Sequence, residues 1–232
     1  MRDLPPPLPP AQRTVGQLIG ESIRAYGNDF WRLLPAGLPI AAVDQASVHE
    51  HALVQVLLYY AAGPFITAAY VWACSVVYRR PPTWTAFLVG MTVYLPFPVL
   101  RAGFAFPGVA WLAFLGLAVP AAVVERLAFR AALARGRELG LAHYLHAFFS
   151  LAALGLVVVI AEQALQVLLH SQSGNSYRGA LLLADVVLSP LLYVGGALLY
   201  QDQAARVGSR RADVHPPLDA DSAGRADPEG QP

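Results

Sequence analysis

Apolar residues in this chain gather into runs instead of alternating with polar ones. Six runs read as membrane-crossing helices: residues 33–48, 52–78, 83–100, 103–124, 147–169 and 179–200. A helix rises 1.5 Å per residue and needs about 20 apolar residues to cross the hydrocarbon of a bilayer. The first run is short and carries Pro35 and Pro39, and the third is short as well. Only Arg101-Ala102-Gly103 connects the third run to the fourth, which leaves a re-entrant hairpin open as an alternative for that pair. In lipid only helices and closed barrels satisfy every backbone group, and long runs without a period of two favour helices. The pattern predicts an all-α polytopic bundle.

Two further segments have helical periodicity without the apolarity to cross. In 14–31, Val15, Leu18, Ile19, Ser22, Ile23, Tyr26 and Phe30 recur near helical spacing, with Glu21, Arg24 and Asn28 towards the other side. Thr14 followed by Gln17 matches a capping box, which starts the helix there. In 125–142, Val124, Leu127, Ala128, Ala131 and Leu139 can share one face while Arg126, Arg130 and Arg137 form another. Both are expected to lie in the membrane interface as amphipathic helices, one before the first span and one before the fifth. Trp31 is placed at headgroup depth. For the first segment the alternative is a short cytoplasmic helix packed on the bundle. The proline-rich residues 1–13 and the Gly-, Pro-, Asp- and Arg-rich residues 207–232 are expected to be disordered tails, leaving 14–206 as the membrane domain. No continuous apolar stretch follows the first charges, so a cleaved signal peptide is not expected.

Charge then orients the bundle. The 232 residues are 56% hydrophobic and 13% charged, about half the charge of an ordinary soluble domain. All 16 basic residues are arginine. With the N-terminus inside, 14 of them fall on the inner side: Arg2, Arg13, Arg24, Arg32, Arg79, Arg80, Arg126, Arg130, Arg135, Arg137, Arg206, Arg210, Arg211 and Arg225. Only Arg101 and Arg178 fall outside. Cationic loops resist translocation, so this division predicts an even number of spans in the cell membrane with both termini cytoplasmic. Arg126, Arg130, Arg135 and Arg137 either touch anionic lipid headgroups, at about 1 kcal/mol each, or serve only to enforce the topology. The net charge of +1 carries no nucleic-acid signal. The single cysteine, Cys74, excludes an internal disulfide and a cysteine-built metal site.

Chemistry-bearing residues concentrate in the last two spans. Glu162, Gln166 and His170 are spaced i, i+4, i+8 and line one face of a helix. Arg178, Asp185, Ser189 and Tyr193 fall near one face of the next. Glu162 lies seven residues before Leu169 and Asp185 seven after Arg178, so both sit about 10 Å below the outer boundary. A charge at that depth costs about 2.5–3.5 kcal/mol near the bilayer centre and should face the bundle interior. Three resolutions are open: protonation of a carboxyl, pairing with Arg178, or a water-filled pocket to which Asp44 and Gln45 add. Plain interhelical hydrogen bonding, worth about 0.6–2 kcal/mol per contact, is the structural alternative. The His49-Glu50-His51 loop with His170 has imidazoles that could bind zinc, but a short His-X-His loop commonly binds nothing. No metal site and no cofactor is therefore predicted. His143 and His146 are placed at headgroup level beside Tyr144. Trp72, Trp84, Trp111, Tyr59 and Tyr60 are expected to pack or anchor. No H-E-x-x-H, nucleophile elbow or P-loop occurs, and no nucleophile and base can be assembled.

The stretch from Val15-Gly16-Gln17-Leu18 to Asn28-Asp29-Phe30 resembles the opening of a bacterial polytopic family that includes the membrane domain fused to some glycerophosphodiester phosphodiesterases. Pro120-Ala121-Ala122-Val123-Val124-Glu125 with Ala131-Ala132-Leu133 is similar to that family's fourth-span exit. Pro190, Leu198-Leu199-Tyr200-Gln201-Asp202 and Arg206 are similar to its last span. The chain departs from the pattern at Arg135-Gly136-Arg137 and at Ala204. The resemblance covers roughly residues 14–206 and implies a six-helix integral membrane domain without catalytic residues. The expected role is a non-enzymatic module that organises the membrane or binds a membrane-protein partner. The alternatives are a small transporter or permease-like subunit using the polar stripe around Glu162 and Asp185, and a lipid-modifying enzyme.

Overall fold

A computed structural model of the chain describes residues 9–103, 105–169 and 174–214. They form helices α1 (Val15–Asn28), α2 (Phe30–Leu33), α3 (Leu38–Ser47), α4 (Ala52–Tyr78), α5 (Trp84–Tyr94), α6 (Phe97–Gly103), α7 (Ala105–Leu115), α8 (Ala118–Val124), α9 (Phe129–Ala142), α10 (Tyr144–Leu169) and α11 (Gly174–Val214), with short 3-10 turns at Pro10–Gln12 and Leu34–Gly37. No strand occurs among the described residues. Five stretches are long and apolar enough to cross a membrane: Ala52–Tyr78, Trp84–Ala102, Phe106–Val124, Tyr144–Leu165 and Arg178–Ser209. Large apolar side chains such as Leu53, Leu57, Phe65, Phe149, Ile160 and Leu183 are more than half exposed on these helices. Soluble monomers rarely present so much contiguous apolar surface, and lipid is the solvent that accepts it. The chain has the build of a multi-pass membrane protein.

Residues 33–48 are not among the five. Pro35 and Pro39 divide the run into a 3-10 turn and the ten-residue α3, because proline removes a donor and clashes with the preceding turn. Residues 29–44 nevertheless lie alongside α4. At one end Arg79 of α4 pairs with Asp29 at 2.9 Å. Partway along, the Trp72 indole N–H donates to the Arg32 carbonyl at 3.0 Å. At the other end the Tyr59 hydroxyl donates to Asp44. Tyr59 and Arg79 are 20 positions apart, about 30 Å along a helix. On the opposite side Gly37 lies against the backbone of Val186 in α11, where a Cβ would sit 2.9 Å from Val186 Cα. Only glycine allows that approach.

The two ends of the bundle differ in chemistry and are named for it. The clasp end holds Arg13, Asp29, Arg79 and Asp202, and the acidic end holds Asp44, Arg101 and Arg178. The chain enters and leaves at the clasp end. Arg13 reaches Asp202 of α11 at 3.0 Å, and Arg206 donates to the Arg13 carbonyl at 2.9 Å. Arg13 is thus anchored, not part of a free tail, and α11 continues as helix through Val214, beyond the expected boundary at 207. Residues 1–8 and 215–232 of the two expected tails lie outside the described residues.

Helix α1 starts where the capping box predicts. The Gln17 N–H donates to Thr14 Oγ1 at 3.3 Å, and the Thr14 N–H donates to Gln17 Oε1 at 2.9 Å. Leu18, Ser22 and Tyr26 form its buried face, packed on α10 and α11. The second amphipathic segment is shorter than expected. Arg126 adopts a left-handed φ of 52°, which turns the chain out of helix, so α9 begins at Phe129 and not at 125. Its buried face is Ala132, Gly136, Leu139 and Gly140, where Leu127, Ala128 and Ala131 were expected to contribute. The two glycines decide this rotation: a Cβ on Gly136 would lie 2.6 Å from Ala118 backbone, and one on Gly140 would lie 2.7 Å from the Ala113 carbonyl. Hydrophobicity alone misplaces a face whose packing depends on absent side chains.

Candidate functional site

Tyrosine hydroxyls reach backbone carbonyls around the centre of the bundle. The Gly116 carbonyl accepts from the Val119 N–H at 3.4 Å, and the Tyr70 hydroxyl lies 3.5 Å from the same oxygen. The helix α4 runs unbroken through Pro64, and the Tyr94 hydroxyl donates to its Tyr59 carbonyl at 3.1 Å. The helices leave a partly open cavity of about 250 Å³ bordered by residues of α3, α4, α5, α6, α7, α8, α10 and α11. Its wall is aliphatic and aromatic, with glycine at 90, 116, 155 and 196. Two hydroxyls on it, those of Thr67 and Tyr193, are buried without a hydrogen-bond partner among the described residues.

The acidic end continues from that wall. Asp44 is one helical turn beyond Ile40, which borders the cavity. It accepts the Tyr59 hydroxyl and lies 3.6 Å from Arg101. The Arg101 guanidinium stands 4.2 Å from the centroid of the Tyr59 ring, a cation–π distance. Glu162 of α10 and Asp185 of α11 each lie two helical turns from a residue that borders the cavity, Gly155 and Tyr193. Neither makes a hydrogen bond among the described residues. The cation in reach is Arg101, not Arg178. Arg178 is exposed, and its carbonyl accepts from Gln45 at 3.4 Å. His170 and the side chain of Gln166 lie outside the described residues.

Sequence reasoning treated Arg101 only as a mark of topology. Its position in a tight turn between two spans, on the side almost free of arginine, was the signal available. Tyr59 and Tyr94 were read as anchors or not singled out, because their partners are backbone and carboxyl groups brought together only by the fold.

At the clasp end the charges are committed. Arg13 joins Glu21 at 2.9 Å and Asp202 at 3.0 Å, and the Asp202 side chain is wholly buried. His146 sits 3.4 Å from Arg206, and the His143 carbonyl lies 3.5 Å from Gln203 Nε2. Arg135 bridges Glu125 at 3.0 Å and Glu138 at 2.8 Å. Burial disfavours its charge, but the bonds to Glu138 and Glu125 prevail and hold the guanidinium above its ordinary range. The Tyr200 hydroxyl donates to Glu125 as well, at 2.7 Å. Arg126, Arg130 and Arg137 remain exposed. His49, Glu50 and His51 are exposed in the turn before α4. Among the described residues no group of three His, Cys, Asp or Glu could hold a metal ion.

No protein-family model, curated protein or solved structure matches the chain. The resemblance to the membrane domain of glycerophosphodiester phosphodiesterases thus stands on the quoted motifs alone.

Proposed function

We propose that this is a six-span, non-enzymatic membrane protein that holds a small apolar or amphipathic molecule inside its bundle, as a binding or permease-like subunit. One observation carries the reading: a cavity of about 250 Å³ bordered by eight helices and carrying two unpartnered hydroxyls. A dry apolar cavity of about 150 Å³ is already enough to bind benzene. A module that only organised the membrane would gain stability from filling the space, since empty core volume destabilises a fold.

Residues 30–47 make the sixth crossing, supported by their contacts with α4 at both ends of the bundle. Both chain ends lie on the cytoplasmic face, supported by the arginine distribution and by the Arg13–Asp202 pair. Helices α1 and α9 lie in the inner interface, where Arg126, Arg130 and Arg137 meet anionic headgroups, while Arg135 is held by its carboxylates. Cys74 is buried, so added single cysteines can be labelled against a silent background. Cysteines at Ala11 and Ser209 are expected to react from one face of sealed vesicles and one at Val48 from the other. Labelling of Val48 from the same face as Ala11 rules out the sixth crossing.

Gly155 offers a test of the cavity. A Cβ there would meet nothing within 4 Å, so Gly155→Leu adds volume with little strain. In nanodiscs, phenylnaphthylamine fluorescence should report saturable binding by the wild type. The variant should weaken it about tenfold or more, the factor that 1.4 kcal/mol supplies, without lowering the unfolding temperature. Equal binding by both proteins, or no saturable binding, defeats the reading.

A further inference from the structure

We propose that the acidic end is the headgroup site of the cavity, and that the ligand is a cationic amphiphile. Its apolar body lies in the cavity, and its amine or quaternary ammonium group lies beside Asp44, Glu162 and Asp185. This inference rests on the binding reading above and adds the chemical class of what is bound.

The walls of the cavity lead to the acids. On α11, Tyr193, Ser189 and Asp185 recede at intervals of four and share a face. On α10, Glu162 follows Gly155 by two turns. On α3, Asp44 follows Ile40 by one. Tyr193 and Gly155 border the cavity, as Ile40 does, so three helices each carry one continuous face from apolar wall to carboxyl.

Charge then selects the head. Three helices each carry a carboxyl towards this end, and among the described residues Arg101 pairs with Asp44 alone while standing over the Tyr59 ring. Carboxylates at this depth need a countercharge, since an unpaired ion in a low dielectric is costly. An ammonium group supplies it. An anionic head would meet the excess of acids, and a neutral head would leave them uncompensated.

The buried Tyr193 hydroxyl is a second, independent pointer to a ligand. Among the described residues it has no partner, and it borders the cavity. A hydroxyl left so in a packed core would cost stability. A polar atom next to the ligand's head, at the junction of cavity and acids, satisfies it.

The test displaces phenylnaphthylamine from the full chain in zwitterionic nanodiscs with three competitors sharing one alkyl chain: octyltrimethylammonium, octanol and octyl sulfate. Empty nanodiscs and Gly155→Leu correct for partition into lipid. Octyltrimethylammonium is expected to compete about tenfold more strongly than octanol, with octyl sulfate weakest. In the Glu162→Gln, Asp185→Asn double variant the three should converge, each ranked against that variant's own reporter affinity. If the reporter binds but the wild type ranks the heads alike, or prefers sulfate, the inference is overturned and the binding reading survives. Persistence of the cation preference in the double variant also overturns it. If the reporter does not bind saturably, the binding reading fails and the headgroup site with it. The wild-type ranking needs no variant, so poor folding of the double variant leaves the inference open to refutation.

Discussion

The clasp end and the acidic end are built from the same residue types and treat them in opposite ways. At the clasp end, Arg13, Arg79 and Arg135 each lie within 3.0 Å of a carboxylate. At the acidic end Arg101 lies 3.6 Å from Asp44, and Glu162 and Asp185 make no hydrogen bond or ion pair among the described residues. Burial is not what separates the two: Asp44 and Glu162 are partly buried, as Glu21 and Arg135 are. Commitment is. Charges at the clasp end spend their fields on one another and tie chain segments far apart in sequence. Charges at the acidic end stay available, which a fold tolerates where something else answers them.

Breaking the clasp should have the largest effect. Asp202 is wholly buried and faces Arg13, itself nearly so. Removing one partner of a buried pair costs about 3–5 kcal/mol. For Asp202→Asn we expect about 3 kcal/mol, the low end, because Glu21 still contacts Arg13 at 2.9 Å. Asp185→Asn at the other end should change stability by no more than about 0.5 kcal/mol, since no pair is lost. Unfolding of both variants in one detergent measures the contrast. Equal losses would mean that Asp185 is as structurally committed as Asp202, and the distinction between the ends would disappear.

The membrane character of the fold was legible because length and apolarity are local properties. The Ala52–Tyr78 run needs no partner to be recognised, and neither does the Thr14–Gln17 box. What escaped depends on neighbours. The run 33–48 reads as a span, yet Pro35 and Pro39 divide it into a 3-10 turn and a ten-residue helix, so it is not among the five long apolar helices. The start of α9 turned on the φ of Arg126, and its buried face on Gly136 and Gly140, residues that contribute by lacking side chains. The cavity was illegible for a deeper reason: it is the volume that the packed helices leave between them, and no residue encodes it by type. Arg101 illustrates the same limit, since a topological marker and a charge partner look identical until Asp44 is beside it.

The smallest effect tests whether pairing or mere burial makes the clasp end firm. Tyr26 packs in the buried face of α1, its ring 5.3 Å from that of Phe30, but its hydroxyl is buried without a partner. An unsatisfied hydroxyl contributes nothing to offset its desolvation. Tyr26→Phe should therefore leave stability unchanged at neutral pH or raise it by up to about 1 kcal/mol. Alkali supplies an internal control. Burial pushes the Tyr26 phenol from its ordinary 10.0 up to about 12. Below pH 10 the phenol is neutral in both folded and unfolded chains, and its contribution is fully present. Between about pH 10 and 12 the unfolded chain releases a proton that the folded chain retains, so stability falls as pH rises. Above that window both states are ionised and the contribution is gone. The wild type should accordingly lose more stability than Tyr26→Phe across this interval, by alkaline unfolding of the two proteins side by side. A variant that is destabilised at pH 7 would show that the Tyr26 hydroxyl is engaged after all and would place it with the paired groups of the clasp, whereas one that matches the wild type's alkaline slope would show that the hydroxyl is open to water.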